Sequence, residues 1–120
     1  PSVRTDALKV LRKFKGEGLF GTLKEIVLRS DFRERPFAEK REFLETLGET
    51  GKENAFPILS GFFKRKELFK SAEGEELRAC AAYGLGLLDS REARALLEKG
   101  RRKKGIIGEA CRKALNEDVK

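Results

Sequence analysis

The side chains of this 120-residue chain that could do chemistry are two cysteines, several glutamates and two runs of lysine and arginine. Histidine is absent, which removes the commonest general base and the commonest zinc ligand. Ser-His-Asp and Cys-His nucleophilic machinery is therefore excluded, and two cysteines alone cannot complete a four-ligand Cys/His metal site. Cys80 and Cys111 lie among small apolar residues (Ala79, Ala81 and Ala82; Ala110 and Ala114), with no CxxC spacing and no neighbouring base. Such surroundings predict two buried, reduced, unbonded thiols rather than a redox pair, and reduced thiols fit a cytoplasmic protein.

Glu39, Glu42 and Glu45, and the pair Glu75 and Glu76, are the candidates for acid–base work. Glu39 and Glu42 share a helix face. Lys40 and Arg41 beside them predict that this face is solvated, where nothing apolar would shift a carboxylate toward a catalytic pKa. Gly16-Glu17-Gly18 lacks the preceding strand that a phosphate-binding loop needs, and Gly84-Leu85-Gly86 reads as a close-packing point inside a helix. No enzymatic activity, cofactor or metal is expected.

Charge is the stronger signal. Lysine and arginine number 27 against 20 aspartates and glutamates, a net charge of +7. Residues 61–70 carry Lys64, Arg65, Lys66 and Lys70 against Glu67 alone, and residues 99–104 carry Lys99, Arg101, Arg102, Lys103 and Lys104 with no acid. The two segments hold the whole excess, so the rest of the chain is close to neutral. Cations in such runs either offset helix C-terminal dipoles or form an edge for an acidic partner.

The elements that must position these groups are helices, because apolar residues recur at helical and not at strand spacing. Seven stripes can be followed. They are Ala7, Leu8, Leu11 and Phe14; Leu19, Leu23, Ile26 and Val27; Phe43, Leu44 and Leu47, stopping at Gly48; and Ala55, Ile58, Leu59, Phe62 and Phe63, with Pro57 in the first turn. Then come Leu77, Cys80, Ala81, Gly84, Leu85 and Leu88; Ala93, Leu96 and Leu97, capped by Ser90; and Ile106, Ile107, Ala110, Cys111, Ala114 and Leu115. Ser30 to Phe37, Ser71 to Gly74 and Lys99 to Gly105 read as loops. With 39% of residues apolar the chain can form one core, and no apolar run approaches the ~20 residues of a membrane span.

The stripes repeat. A shift of 38 residues carries Leu47-Gly48 onto Leu85-Gly86, Ala55 onto Ala93, and Ile58-Leu59 onto Leu96-Leu97. A shift of 36 carries Leu11 onto Leu47 and Leu23 onto Leu59. The unit is a helical hairpin, occurring over about 5–30, 38–66 and 75–99, with a terminal helix at 105–117. A lone hairpin cannot bury its stripes, so the units must stack into a one-dimensional solenoid within a single domain. Stacking places second helices (19–29, 52–65 and 91–99) in parallel along a concave face. It lets the small residues Ala79, Cys80, Ala81, Ala82 and Gly84 bring first helices close together. It also sets Lys64-Arg65-Lys66 against Arg102-Lys103-Lys104 as one exposed basic ridge, extended by Arg29, Arg33 and Arg35. The terminal stripe from Ile106 to Leu115 has no hairpin partner and is expected to leave apolar surface uncovered.

The stretch Glu76-Leu77-Arg78-Ala79-Cys80-Ala81-Ala82-Tyr83-Gly84-Leu85-Gly86, followed through Asp89, Ala93 and Leu97, resembles the R-x-x-A-A-x-A-L-G-x-[IL]-G-D phrase of HEAT-like repeats. The closest likeness is to the short kind found in phycobilisome lyases. The resemblance implies an all-α, right-handed α-solenoid of about three HEAT-like hairpins plus a terminal helix. It implies a protein-interaction or scaffolding module of a larger bacterial protein. Some HEAT-like folds are alkyl-base glycosylases whose aromatic clefts use tryptophan. This chain has none, and its single tyrosine, Tyr83, lies on a first helix. No cysteine or histidine is placed to manage a bilin. The opening Pro1-Ser2-Val3 reads as a cut from a longer protein. The expected partner is a protein or another domain of the same polypeptide, bound by the concave face and by Lys64, Arg65, Lys66, Lys70, Arg101, Arg102, Lys103 and Lys104. The alternative is an acidic peptide, nucleic acid or other polyanion bound by the basic ridge alone.

Overall fold

A computed structural model describes residues 17–65, 71–88 and 90–115. The helix expected over 7–14, Lys66, Lys70, Asp89 and residues 116–117 lie outside them. The described residues form six α-helices and no strand: α1 Glu17–Val27, α2 Phe37–Gly51, α3 Phe56–Lys64, α4 Ala72–Leu85, α5 Arg91–Gly100 and α6 Gly105–Ala114. Short 3₁₀ turns occupy Phe32–Glu34 and Lys52–Ala55.

Local chemistry sets most of the boundaries. The Ser71 hydroxyl accepts from the Gly74 N–H at 2.9 Å, and the Ser90 hydroxyl from the Ala93 N–H at 3.1 Å, satisfying free donors at the starts of α4 and α5. Pro57 stands in the first turn of α3, where a missing N–H does no harm. The chain turns from α2 into α3 through Lys52, which adopts φ +49°, and enters α6 through Gly105 at φ +82°.

Three expected boundaries are corrected. The helix read as ending at Gly48 runs on to Gly51, Gly74 lies inside α4 rather than in the break before it, and α4 ends at Leu85 rather than Leu88. Gly48 does not stop α2 because its role is tertiary. A Cβ there would lie 2.7 Å from the Gly84 carbonyl oxygen, and a Cβ on Gly84 would lie 2.7 Å from the Leu44 carbonyl oxygen. The two glycines let the backbones of α2 and α4 touch.

Helix α4 is the centre of the molecule. It packs against α2 on one side and α6 on the other and carries α3 along its flank. Every residue from 77 to 85 is buried, which explains why its sequence is small and apolar all round instead of striped. Around it, Leu23, Leu47, Ala55, Leu59 and Ala93, which the repeat aligned, have no solvent exposure, while Ile58 and Leu96 are half-buried. The terminal stripe is better covered than expected. Ile107, Ala110 and Cys111 are buried against α4, Ile106, Ala114 and Leu115 are half-buried, and the large apolar side chains left exposed among the described residues are Leu28 and Leu87.

Helices α2, α4 and α6 each send a cation back to a carbonyl at or beyond the end of the helix before them. Lys40 of α2 donates to the Arg33 carbonyl after α1 at 2.7 Å, Arg78 of α4 to the Phe63 carbonyl of α3 at 3.1 Å, and Arg112 of α6 to the Arg101 carbonyl after α5 at 2.8 Å. Carbonyls at helix ends lack intrahelical donors and gather partial negative charge, so cations suit them. Burial disfavours the charged form of Arg78 and lowers its pKa, with Glu75 opposing that effect.

Cys80 and Cys111 are buried free thiols, as their neighbours predicted. Burial pushes Cys80 from an ordinary value of 9.0 up to about 12, Lys40 partly opposing it, and Cys111 up to about 11. Native protein at pH 8 is therefore expected to react with a thiol reagent far more slowly than unfolded chain. The unfolded thiols ionise near pH 9 while the folded ones stay protonated, so stability should decline as pH rises from about 9 toward 12. Prompt labelling of native protein would contradict this.

Candidate functional site

The exposed cations stand at helix ends. Lys64 is the last residue of α3 and Arg65 follows it; Arg101, Arg102, Lys103 and Lys104 form the whole connection between α5 and α6. All six are exposed. The helix ends that bear them meet: Gly100 lies against the Phe63 ring and Cys111, where a Cβ would come 2.9 Å from Phe63 Cζ and 2.5 Å from Cys111 Sγ. The contact exists because Gly100, buried and without a side chain, lets α5 approach α3 at that end.

The turn after α1 divides its arginines. Arg35 is drawn to the protein, its guanidinium 5.2 Å from the Phe43 ring centroid and 3.5 Å from Glu39 Oε1. Arg29 and Arg33 remain exposed and line a hollow of about 230 Å³, together with Arg65 from the end of α3. Val27, Phe32, Phe62 and Leu77 form its floor, and each is no more than 4% exposed. Leu28, 51% exposed, stands at the rim. The Arg65 guanidinium is 5.4 Å from the Phe62 centroid, so an apolar wall supports it. In the sequence Arg29 and Arg33 extend a ridge, and no local spacing shows that they line one hollow with Arg65.

The solvated face expected for the glutamates is corrected in part. Glu39 is 4% exposed and Lys40 fully buried. Glu39 occupies the first turn of α2, where the helix dipole favours a negative charge. The Lys40 ammonium has three N–H groups and three acceptors: the Arg33 carbonyl, the Glu73 carbonyl at 3.4 Å and Glu76 Oε1 at 2.9 Å. Glu45 pairs with Arg41 at 3.1 Å, and Arg41 in turn covers the Tyr83 ring at 3.7 Å. Tyr83 thus belongs to the packing of α2 on α4. Among the described residues no group of His, Cys, Asp and Glu is placed to hold a metal ion, and no helix is long and apolar enough to cross a membrane.

No protein-family model, curated protein or solved structure matches this chain.

Proposed function

We propose that the chain is a HEAT-like α-solenoid module that binds a protein partner, or another domain of its own polypeptide, through its second helices and a basic edge, with no chemistry of its own. The observation that carries the reading is how charge is distributed. Exposed Lys64, Arg102, Lys103 and Lys104 have no ion-pair partner among the described residues, and, unlike the other exposed cations without one (Lys24, Arg29, Arg33, Lys52, Arg91 and Lys99), they crowd the turn after α5 and the end of α3, which meet. Cations left open at neighbouring helix ends share a field and attract an acidic surface. The recurring cation-to-carbonyl contact supports the repeat: the 38-residue shift found in the sequence carries Lys40 onto Arg78. Two buried free thiols suit the cytoplasm.

The test is charge reversal. Arg102→Glu with Lys103→Glu should abolish retention on immobilised poly-glutamate, while the melting temperature stays nearly unchanged because both side chains are exposed. Unaltered retention would remove the edge from the interface. Binding to a generic DNA duplex that falls steeply with salt would favour the polyanion reading instead.

A further inference from the structure

We infer that the hollow between the end of α1 and the end of α3 is the selective part of that surface, a pocket for an acidic side chain and the apolar side chain next to it on a partner polypeptide. This rests on the protein-binding reading above and names the partner's chemistry. The volume decides the kind of ligand: about 230 Å³ is below the 300–1,000 Å³ of small-molecule and cofactor sites, and suits one or two inserted side chains.

The mouth selects for acid. Arg29 and Arg33, both exposed, arrive from the turn after α1, so a carboxylate entering there meets two guanidinium groups. Guanidinium matches a carboxylate with paired parallel hydrogen bonds, which an ammonium cannot do. The rim selects for an apolar neighbour. Leu28 is the most exposed large apolar side chain among the described residues and stands beside these arginines, where an apolar residue following the acid would cover it.

The same walls disfavour a nucleic acid. Phe32 and Phe62 are 1% and 4% exposed, so neither presents a face on which a base could stack. A single strand would gain only phosphate contacts. The pocket is also held ready before binding. Lys40 grips the Arg33 carbonyl at 2.7 Å, and the Phe32 ring is fixed edge-on to Phe43 at 5.8 Å between centroids. A turn fixed in advance loses little freedom when a ligand arrives.

Fluorescence anisotropy on the full chain tests this with three labelled probes: a peptide of alternating glutamate and leucine, the same peptide with serine for leucine, and an oligothymidylate of equal charge. The glutamate–leucine peptide should bind about tenfold more tightly than the glutamate–serine one. Arg33→Glu should weaken its binding by about tenfold or more. Thermal melting checks folding, and Arg33→Gln, which removes charge without reversing it, should give a smaller loss in the same direction. Equal binding of the two peptides, or affinity unchanged by both Arg33 variants but lost on reversing Arg102 and Lys103, would overturn the pocket and leave the basic-edge reading standing. Binding of the oligothymidylate with neither peptide bound would overturn both.

Discussion

Lys40→Ala is expected to destabilise the protein by about 3–4 kcal/mol, among the largest losses from any single substitution here. The side chain has no solvent exposure, so its removal leaves a cavity, and it strands the backbone carbonyl of Arg33. The ion pair itself contributes less. Glu76 is 37% exposed, and a carboxylate open to water recovers its solvation when the ammonium is gone. Three variants separate these effects. Lys40→Met keeps the volume and loses the donors, with an expected loss of about 2 kcal/mol. Glu76→Gln should lose less than about 1 kcal/mol. A Glu76→Gln loss equal to that of Lys40→Ala in chemical denaturation would mean that charge pairing dominates. In Lys40→Met, amide hydrogens of residues 29–35 should also exchange faster, because the ammonium no longer ties that turn to α2 and α4.

Gly84→Ala and Gly61→Ala should change stability in opposite directions although the chemical change is the same. Both glycines lie within helices, where alanine is favoured by about 1 kcal/mol. At Gly61 a Cβ meets nothing within 4 Å, so the whole gain should appear. At Gly84 it would stand 2.7 Å from the Leu44 carbonyl oxygen and 2.9 Å from a Leu59 methyl. The leucine can turn; the carbonyl belongs to the backbone of α2 and can retreat only with its helix. Overpacking of this kind costs about 1–3 kcal/mol or more, and contact with backbone places it at the upper end, for a net loss of about 2 kcal/mol. At roughly 4 °C per kcal/mol the two melting temperatures should lie about 12 °C apart. Equal shifts for the two variants would mean that α2 and α4 do not touch at Gly84.

Gly84 reads in the sequence as a close-packing point, but the parts of Lys40 and of Gly48, which meets Gly84, are written there only ambiguously. Gly48 reads locally as a helix stop, since glycine is common there, and only the Gly84 carbonyl across the interface makes it an interior contact. Lys40 has charged neighbours and so reads as solvated, yet it lies four residues before Leu44 and seven before Leu47, on the buried stripe of α2. The 38-residue shift that placed Ala55 on Ala93 also places Lys40 on Arg78, a second buried cation; following charged residues through the repeat, as well as apolar ones, would have exposed it.

What the sequence determined by itself was the helical class, most apolar positions of the described helices, the Ser90 cap of α5, and the burial of Cys80 and Cys111. Each is decided within a few turns of one helix, by period, propensity and nearest neighbours. Which helices touch backbone to backbone, where the Lys40 ammonium finds three acceptors, and how Arg29 and Arg33 come to share a hollow with Arg65 were decided by the tertiary structure. The reason is geometric. A side chain's face on its own helix follows from its position in the period, but its partner on another helix depends on how far each helix slides and turns against the next. That is set by the fit of many small contacts at once, and no stretch of residues carries it alone.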